Sequence, residues 1–395
     1  MGSSIRQTVL ATLAIAAHSA GPLPRLNIAP ASLTISGISS GADLAAHFAV
    51  AYSDITSGAA IFAGEPWLCA VTRFPGEPVF TCAAAEAKIG SPGPGCAGLP
   101  TGFAPCEGCG SDGNTTLLYD HCKSRGPGAL PLYLDVPTLA GAAAAAARAD
   151  LIAPLAGLSA MRTYLYRGAL DSCYLDGAVN FTAAFFSAFA ADPASQVVFV
   201  ANVPSGHCTP TIDPWVPRAS CGHGAGAPPA VENCDYDGAG AAFAHMYGAL
   251  APPPSHACGA DCAARALPFN QTLYQAGVWA ALGSTGYVYV PAACAGGAAC
   301  RLHVALHGCG MSMYNPKMNT SYVLHAGFNP WAESNGIVVL YPQGGGYEES
   351  GTAAPTPQLG AGCFDGYGQT SPDFAWRSAP QLATLRAMVA ALAGF

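Results

Sequence analysis

Charge is scarce in this sequence. Of 395 residues only 10% are charged, and 15 Lys and Arg face 23 Asp and Glu, for a net charge of −8. No basic run occurs, which excludes a nucleic-acid partner as the expected reading, because phosphate binding needs clustered Lys and Arg. A balance poor in charge and rich in apolar groups suits a neutral or apolar substrate. Long apolar runs are also missing, and a bilayer span takes roughly 20 such residues, so no membrane span is expected. Internal repeats are absent. The pair Cys106-Glu-Gly-Cys109 has the spacing of metal ligands, but no His-x3-His partner follows it, so no metal site is expected. The same pair lies in a Gly/Pro-rich stretch and not at a helix start, which speaks against thiol redox catalysis.

Hydrophobic residues, in contrast, make up 51% of the chain. That is enough for a sizeable core and disfavours disorder. The chain carries 16 cysteines, spread from Cys69 to Cys363. An even, high count points to an oxidised, secreted protein. Arg6 followed by the apolar stretch Thr8 to Ala17 and small residues predicts a signal peptide over residues 1–20. Residues 21–395 are expected to form a single catalytic domain. Sequons at Asn114, Asn180, Asn270 and Asn319 fit a secreted glycoprotein. Residues 83–130 are dominated by Gly, Pro and Cys without periodicity, and read as a disulfide-stapled insertion.

Strands and helices alternate along the rest. Leu33–Ser36 reads as a buried strand, followed by a helix with Leu44, Phe48 and Tyr52 on one stripe. Further strands are expected at Ala59–Ala63, Thr163–Tyr166, Val197–Val200, Tyr287–Val290, Leu302–Leu306 and Ile337–Tyr341. Helices are expected over 138–150, Val179–Ala190 and Asp237–Leu250. Residues 208–235 read as a loop, and Pro252–Ala264 as the one tempting linker. A final helix is expected with Ser378 as cap, Gln381 completing a capping box, and Leu382, Leu385, Val389 and Leu392 on one face. This alternation implies an α/β fold, mostly parallel, with helices on both faces of the sheet.

Gly37-Ile38-Ser39-Ser40-Gly41 between a strand and a helix has the form of a nucleophile elbow. The serine of such an elbow sits on a tight, strained turn, so the glycines two residues to either side relieve the crowding. The following helix offers N–H groups to an oxyanion. Ser40 is the local rival, with the wrong glycine spacing. A serine nucleophile needs a base and an orienting acid. Asp171 and His207 each follow a strand, at the carboxyl edge where such sites lie, with Asp176 and His223 as rivals. His307-Gly308-Cys309 after a strand matches the oxyanion loop of hydrolases, which assigns the donors to the N–H groups of Ser40 and Cys309. The usual α/β-hydrolase order places that strand before the elbow. Here it comes last, and joining residue 395 to the segment near residue 30 restores the order. The chain therefore reads as a circularly permuted α/β-hydrolase with neighbouring termini.

Ser36-Gly-Ile-Ser-Ser-Gly41, Ile61-Phe-Ala-Gly64, Gly206-His207, Asn233-Cys-Asp-Tyr-Asp-Gly-Ala-Gly240, Gly286-Tyr-Val-Tyr-Val-Pro291, Leu302-His-Val-Ala-Leu-His-Gly-Cys309, Leu340-Tyr-Pro-Gln343 and Gly362-Cys363 occur in one order over nearly the whole chain. In these the chain resembles the secreted short-chain poly(3-hydroxyalkanoate) depolymerases with a permuted, type 2 catalytic domain. The resemblance implies a serine esterase acting on poly(3-hydroxybutyrate) or its oligomers, without metal or organic cofactor. It puts catalytic roles on Ser39, Asp171 and His207 and oxyanion roles on Ser40 and Cys309. It implies substrate contacts at His307 and Phe364, and the pairs Cys309–Cys363, Cys294–Cys300 and Cys221–Cys234. The family pattern carries Trp-Asp-Trp where this chain has Phe364-Asp365-Gly366, so an indole donor is missing from the subsite. No separate substrate-binding domain is expected, and a monomer is expected. A feruloyl or acetyl carbohydrate esterase, and a binding protein on an inactive hydrolase fold, are the competing readings.

Overall fold

The fold is that of a computed structural model, which describes residues 20–68, 136–171, 178–218, 221, 230–275, 279–345, 357–366, 368–371 and 373–394. All but the last residue of the expected leader lies outside them. So do the expected insertion at 83–130, Asn114, and the rivals Asp176 and His223.

Eight strands form the main sheet: β1 (Ile28–Ile38), β2 (Thr56–Phe62), β3 (Arg162–Tyr166), β4 (Val197–Val200), β7 (Ala266–Asn270), β8 (Thr285–Tyr289), β9 (Cys300–Leu306) and β10 (Ile337–Tyr341). Their spatial order is β4-β3-β2-β1-β9-β10-β8-β7. Only β8 runs against its neighbours, pairing antiparallel with both β10 and β7. A separate parallel pair is made by β5 (Cys208–Thr211) and β6 (Ala230–Asn233), where the sequence reading expects only loop. The edge strand β7 was not foreseen either. It contains Pro268, which an edge position tolerates because one side of an edge strand needs no ladder donor.

The first strand of the chain thus lies in the middle of the sheet, between β2 and β9. From Leu33 to Ile38 every β1 residue is buried, and β10 is buried throughout. A parallel sheet covered by helices on both faces demands continuous apolar runs of this kind. Three polar residues interrupt the apolar centre and satisfy one another. His303 on β9 lies opposite Thr34 on β1, its Nδ1 2.7 Å from Thr34 Oγ1 and its Nε2 2.8 Å from Ser36 Oγ. Burial lowers the His303 pKa to about 3, so the ring is neutral inside the sheet.

Seven principal helices cover the sheet: α1 (Ser40–Ala51), α2 (Val136–Arg148), α3 (Ala178–Ser187), α4 (Gly238–Tyr247), α5 (Ser321–His325), α6 (Phe328–Asn335) and α7 (Pro380–Ala393). The sequence suggests a single apolar stripe on α1, but all of its residues are buried. Its alanines let it sit close against β1 and β2 while other elements cover its far side. The cap expected for α7 does not form. Ala379 is the N-cap, without a side-chain bond, and Pro380 takes the first helical position. Gln381 instead accepts a hydrogen bond from Asp365 N–H and donates one to the Ala280 carbonyl. Two tertiary partners outcompete the local cap.

Where α7 ends, the chain start is waiting. Leu26 N–H donates to Leu392 O at 2.9 Å. Adjacent ends and a first strand in mid-sheet are the features of a permuted α/β-hydrolase. Four disulfides join described residues: Cys221–Cys234, Cys258–Cys262, Cys294–Cys300 and Cys309–Cys363. The sequence reading had not paired Cys258 with Cys262. No described helix is long and apolar enough to cross a membrane.

Candidate active site

Ser39 stands between β1 and α1 with φ 56° and ψ −127°, in a region that side-chain-bearing residues avoid. The strain is held by hydrogen bonds on both sides. Ser39 N–H donates to Phe62 O at 3.0 Å, and Ser39 O accepts from Ala42 and Asp43 N–H at 2.8 and 3.0 Å. The flanking glycines have a steric reason. A Cβ on Gly37 would lie 2.1 Å from Gly41 O, and a Cβ on Gly41 would lie 2.2 Å from His307 O. The second contact also means that the elbow rests directly on the backbone of the loop after β9.

That loop carries Cys309. Its disulfide to Cys363 and the hydrogen bond from Gly310 N–H to Ala361 O at 2.8 Å tie it to the segment around Phe364. The Ser40 hydroxyl accepts from Phe364 N–H at 3.2 Å, so its side chain fastens the elbow to the same segment. The N–H groups of Ser40 and Cys309 donate no hydrogen bond to any described residue. Both are available to an incoming oxygen.

Asp171 follows β3 on a tight turn, its N–H donating to Gly168 O at 3.0 Å. His207 ends the connection after β4. His207 Nδ1 and Asp171 Oδ2 are 2.9 Å apart, with both side chains buried. A hydrogen bond to Nδ1 fixes the imidazole so that Nε2 is the nitrogen left for chemistry. Ser39 is 1% exposed, and its Oγ makes no hydrogen bond.

His307 and Phe364, the expected substrate contacts, lie inside the protein. Both are completely buried and their rings pack at 4.8 Å. Both imidazole nitrogens of His307 are committed, Nε2 accepting from Gly344 N–H at 3.0 Å and Nδ1 lying 2.8 Å from Gly308 O. Burial brings its pKa down to about 4, against a smaller opposing pull from the Gly308 carbonyl. This histidine is a neutral strut under the loop after β9. Sequence reasoning also passed over Ser205 and Tyr166, whose hydroxyls lie 2.5 Å apart beside the His207 loop. Their only sequence signal is adjacency to Gly206-His207 and to Gly168.

No protein-family model matches the chain. A poly(3-hydroxybutyrate) depolymerase of Delftia acidovorans is 30% identical over 375 residues, 94% of this chain. The chain spans 62% of that relative's length. A polyhydroxybutyrate depolymerase of Talaromyces funiculosus is 29% identical over 348 residues, which are 87% of this chain and 83% of the relative. Among solved structures, a PHB depolymerase with a serine-to-alanine substitution, complexed with an R3HB trimer, superposes with a TM-score of 0.71. That match has 26% identity and covers 94% of this chain and 99% of the other. Sequence and three-dimensional likeness run together over nearly the whole chain, and in both the chain is similar to poly(3-hydroxybutyrate) depolymerases.

Proposed function

We propose that the protein is a secreted serine esterase that hydrolyses poly(3-hydroxybutyrate)-type polyesters or their oligomers. The observation that carries this reading is the strained Ser39 beside two uncommitted N–H groups, in a fold that also brings His207 onto Asp171. Ser39 Oγ attacks the ester carbonyl as His207 Nε2 takes its proton. Asp171 holds the imidazole tautomer and stabilises the imidazolium. The carbonyl oxygen, becoming negative, is received by Ser40 N–H and Cys309 N–H. The alcohol end of the chain leaves with the proton returned by His207, and water then releases the acyl group by the same steps in reverse. The disulfides support an extracellular setting, and Asn180 and Asn319 are exposed, as glycan attachment requires. We read residues 21–395 as one catalytic domain acting as a monomer, with no nucleic-acid partner.

The test is release of soluble 3-hydroxybutyrate from amorphous poly(3-hydroxybutyrate), with Ser39→Ala as control. Release that disappears in the variant is the expected result. Ser39-dependent cleavage of feruloyl or acetyl esters without polymer release would reassign the substrate to decorated carbohydrates. Folded protein whose Ser39 ignores a fluorophosphonate probe would be a binding protein.

A further inference from the structure

Asp171 and His207 come from different strands, and the hydrogen bond between them is only as good as the alignment of their two loops. What aligns them is visible on both sides of His207. On the N-terminal side is Ser205, fully buried. Its carbonyl accepts from Leu170 N–H at 2.9 Å, and the neighbouring Ala169 N–H donates to Val203 O at 2.8 Å, so the Asp171 turn is stitched to the His207 loop. Gly168 allows this approach, since a Cβ there would lie 2.2 Å from Ser205 O. The Ser205 hydroxyl meets Tyr166 OH at 2.5 Å. Tyr166 is the last residue of β3, five positions before Asp171, and is itself fully buried with its ring stacked on Tyr236 at 5.6 Å.

On the C-terminal side is Cys208, the only cysteine without a disulfide among the described residues, and 1% exposed. Its Sγ, a Glu232 carboxylate oxygen and Cys234 Sγ all lie within 4.8 Å of one another. Burial, and next the charge of Glu232, push the Cys208 thiol well up from its ordinary range. Cys208 is thus held as a protonated thiol, a donor beside the carboxylate. The Ser205 side chain also interacts with the Cys208 thiol. Metal binding does not explain the cluster, because the Cys234 sulfur is bonded to Cys221.

We propose that Tyr166 and Ser205 are positioning residues for the hydrolysis, and that their hydroxyl pair, continued through the Cys208 thiol to Glu232, aligns His207 on Asp171. The proposal rests on the esterase reading. Neither hydroxyl touches the reacting atoms. Each acts by fixing the backbone on which His207 is carried, and a displacement of about 1 Å at such a group costs roughly 100-fold in rate.

The experiment compares Tyr166→Phe, Ser205→Ala and the double variant with wild type on a soluble p-nitrophenyl ester. Tyr166→Phe keeps the ring and its packing, so it is expected to fold with wild-type circular dichroism and melting temperature. The expected result is a 10- to 100-fold fall in kcat with KM within about twofold. The low-field imidazole N–H proton resonance, which marks a His–Asp hydrogen bond, should shift or broaden in both single variants. The double variant should be no worse than the more damaged single variant, because both substitutions cut one link. Cys208→Ser, which keeps a donor, should stay within about threefold of wild type in kcat, and Cys208→Ala should fall towards the other variants. Unchanged kcat and an unchanged imidazole resonance in folded Tyr166→Phe would overturn the proposal, as would losses that simply add in the double variant. Wild-type protein with no Ser39-dependent turnover would instead remove the esterase reading, and the proposal with it.

Discussion

The proposed nucleophile side and the proposed base side of the site are built by different means. Ser39 and the Cys309 loop rest on β1 and β9, strands flanked on both sides by partners and buried from their middle onward. There the sheet fixes the backbone, and the site needs only glycines small enough to let Gly37 reach Gly41 and Gly41 reach His307. Asp171 and His207 come from β3 and from the edge strand β4, which is only partly buried along its length. At an edge the sheet constrains less, and the loops are joined by hydroxyls, a thiol and carboxylates. At Gly168 the base side borrows the device of the other, since a Cβ there would lie 2.2 Å from Ser205 O. The lesson is that central strands position by shape, whereas edge strands position by hydrogen bonding.

The largest effect that would break this comparison is Gly41→Ala. A methyl group 2.2 Å from the His307 carbonyl oxygen cannot be accommodated by rotating a side chain. The expected outcome is a loss above about 4 kcal/mol in urea unfolding, or failure to fold, with no Ser39 labelling. A stable, labelled Gly41→Ala protein would mean that shape does not hold the nucleophile.

Acid sharpens the comparison next. His47 on α1 and His303 and His307 on β9 and its end are neutral inside the fold, with pKa values lowered to about 4, 3 and 4. Burial is the main cause in each, offset at His47 chiefly by the charge of Asp43. In the unfolded chain each would titrate near 6.5. Between pH 6.5 and about 4 the unfolded state therefore binds more protons, so stability is intact above 6.5 and is lost as the pH falls. Each histidine contributes a slope approaching about 1.4 kcal/mol per pH unit in that window. Urea titrations from pH 7 to 4.5 should show it, and His303→Gln should flatten it by about one proton. A flat profile in wild type would contradict the buried, neutral assignment.

The smallest effect belongs to a region that serves neither side. Cys258 and Cys262 are only four residues apart in sequence. Closing so short a loop stabilises by about 2 kcal/mol at most. Replacing both with alanine should lower the melting temperature by a few degrees and leave ester hydrolysis unchanged. A loss of activity there would connect this turn to the site in a way the present contacts do not.

Much of the nucleophile side was legible in the residues, because an elbow is local. A strand, a G-x-S-x-G and a helix follow one another within about 20 positions, and their chemistry dictates their order. The inverted order of the oxyanion strand was enough to expect a permuted sheet. The base side was less legible. Thr163–Tyr166 and Val197–Val200 appear as strands, but nothing in the sequence says that Tyr166 and Ser205 meet. β5 and β6 carry Cys-Thr-Pro-Thr and Ala-Val-Glu-Asn, which lack apolar alternation, so their pairing depends wholly on the chain around them. Gln381 has the spacing of a capping box, yet a tertiary partner claimed it. His307 and Phe364 look like ligand contacts by position, and their complete burial has no local signal in the sequence.

The meeting of Leu26 with Leu392 and the hydrogen bond between Ser40 and Phe364, 324 residues apart, bear on when the sheet can close. A chain is synthesised from its N-terminus, so Ser39 is made well before β9, the strand beside its own. The loop after β9 and the anchor at Phe364 follow later still. Non-local partners of this kind make the sheet close late. A chain that has not yet delivered Phe364 therefore carries Ser39 without the strand and the anchor that frame it in the finished sheet.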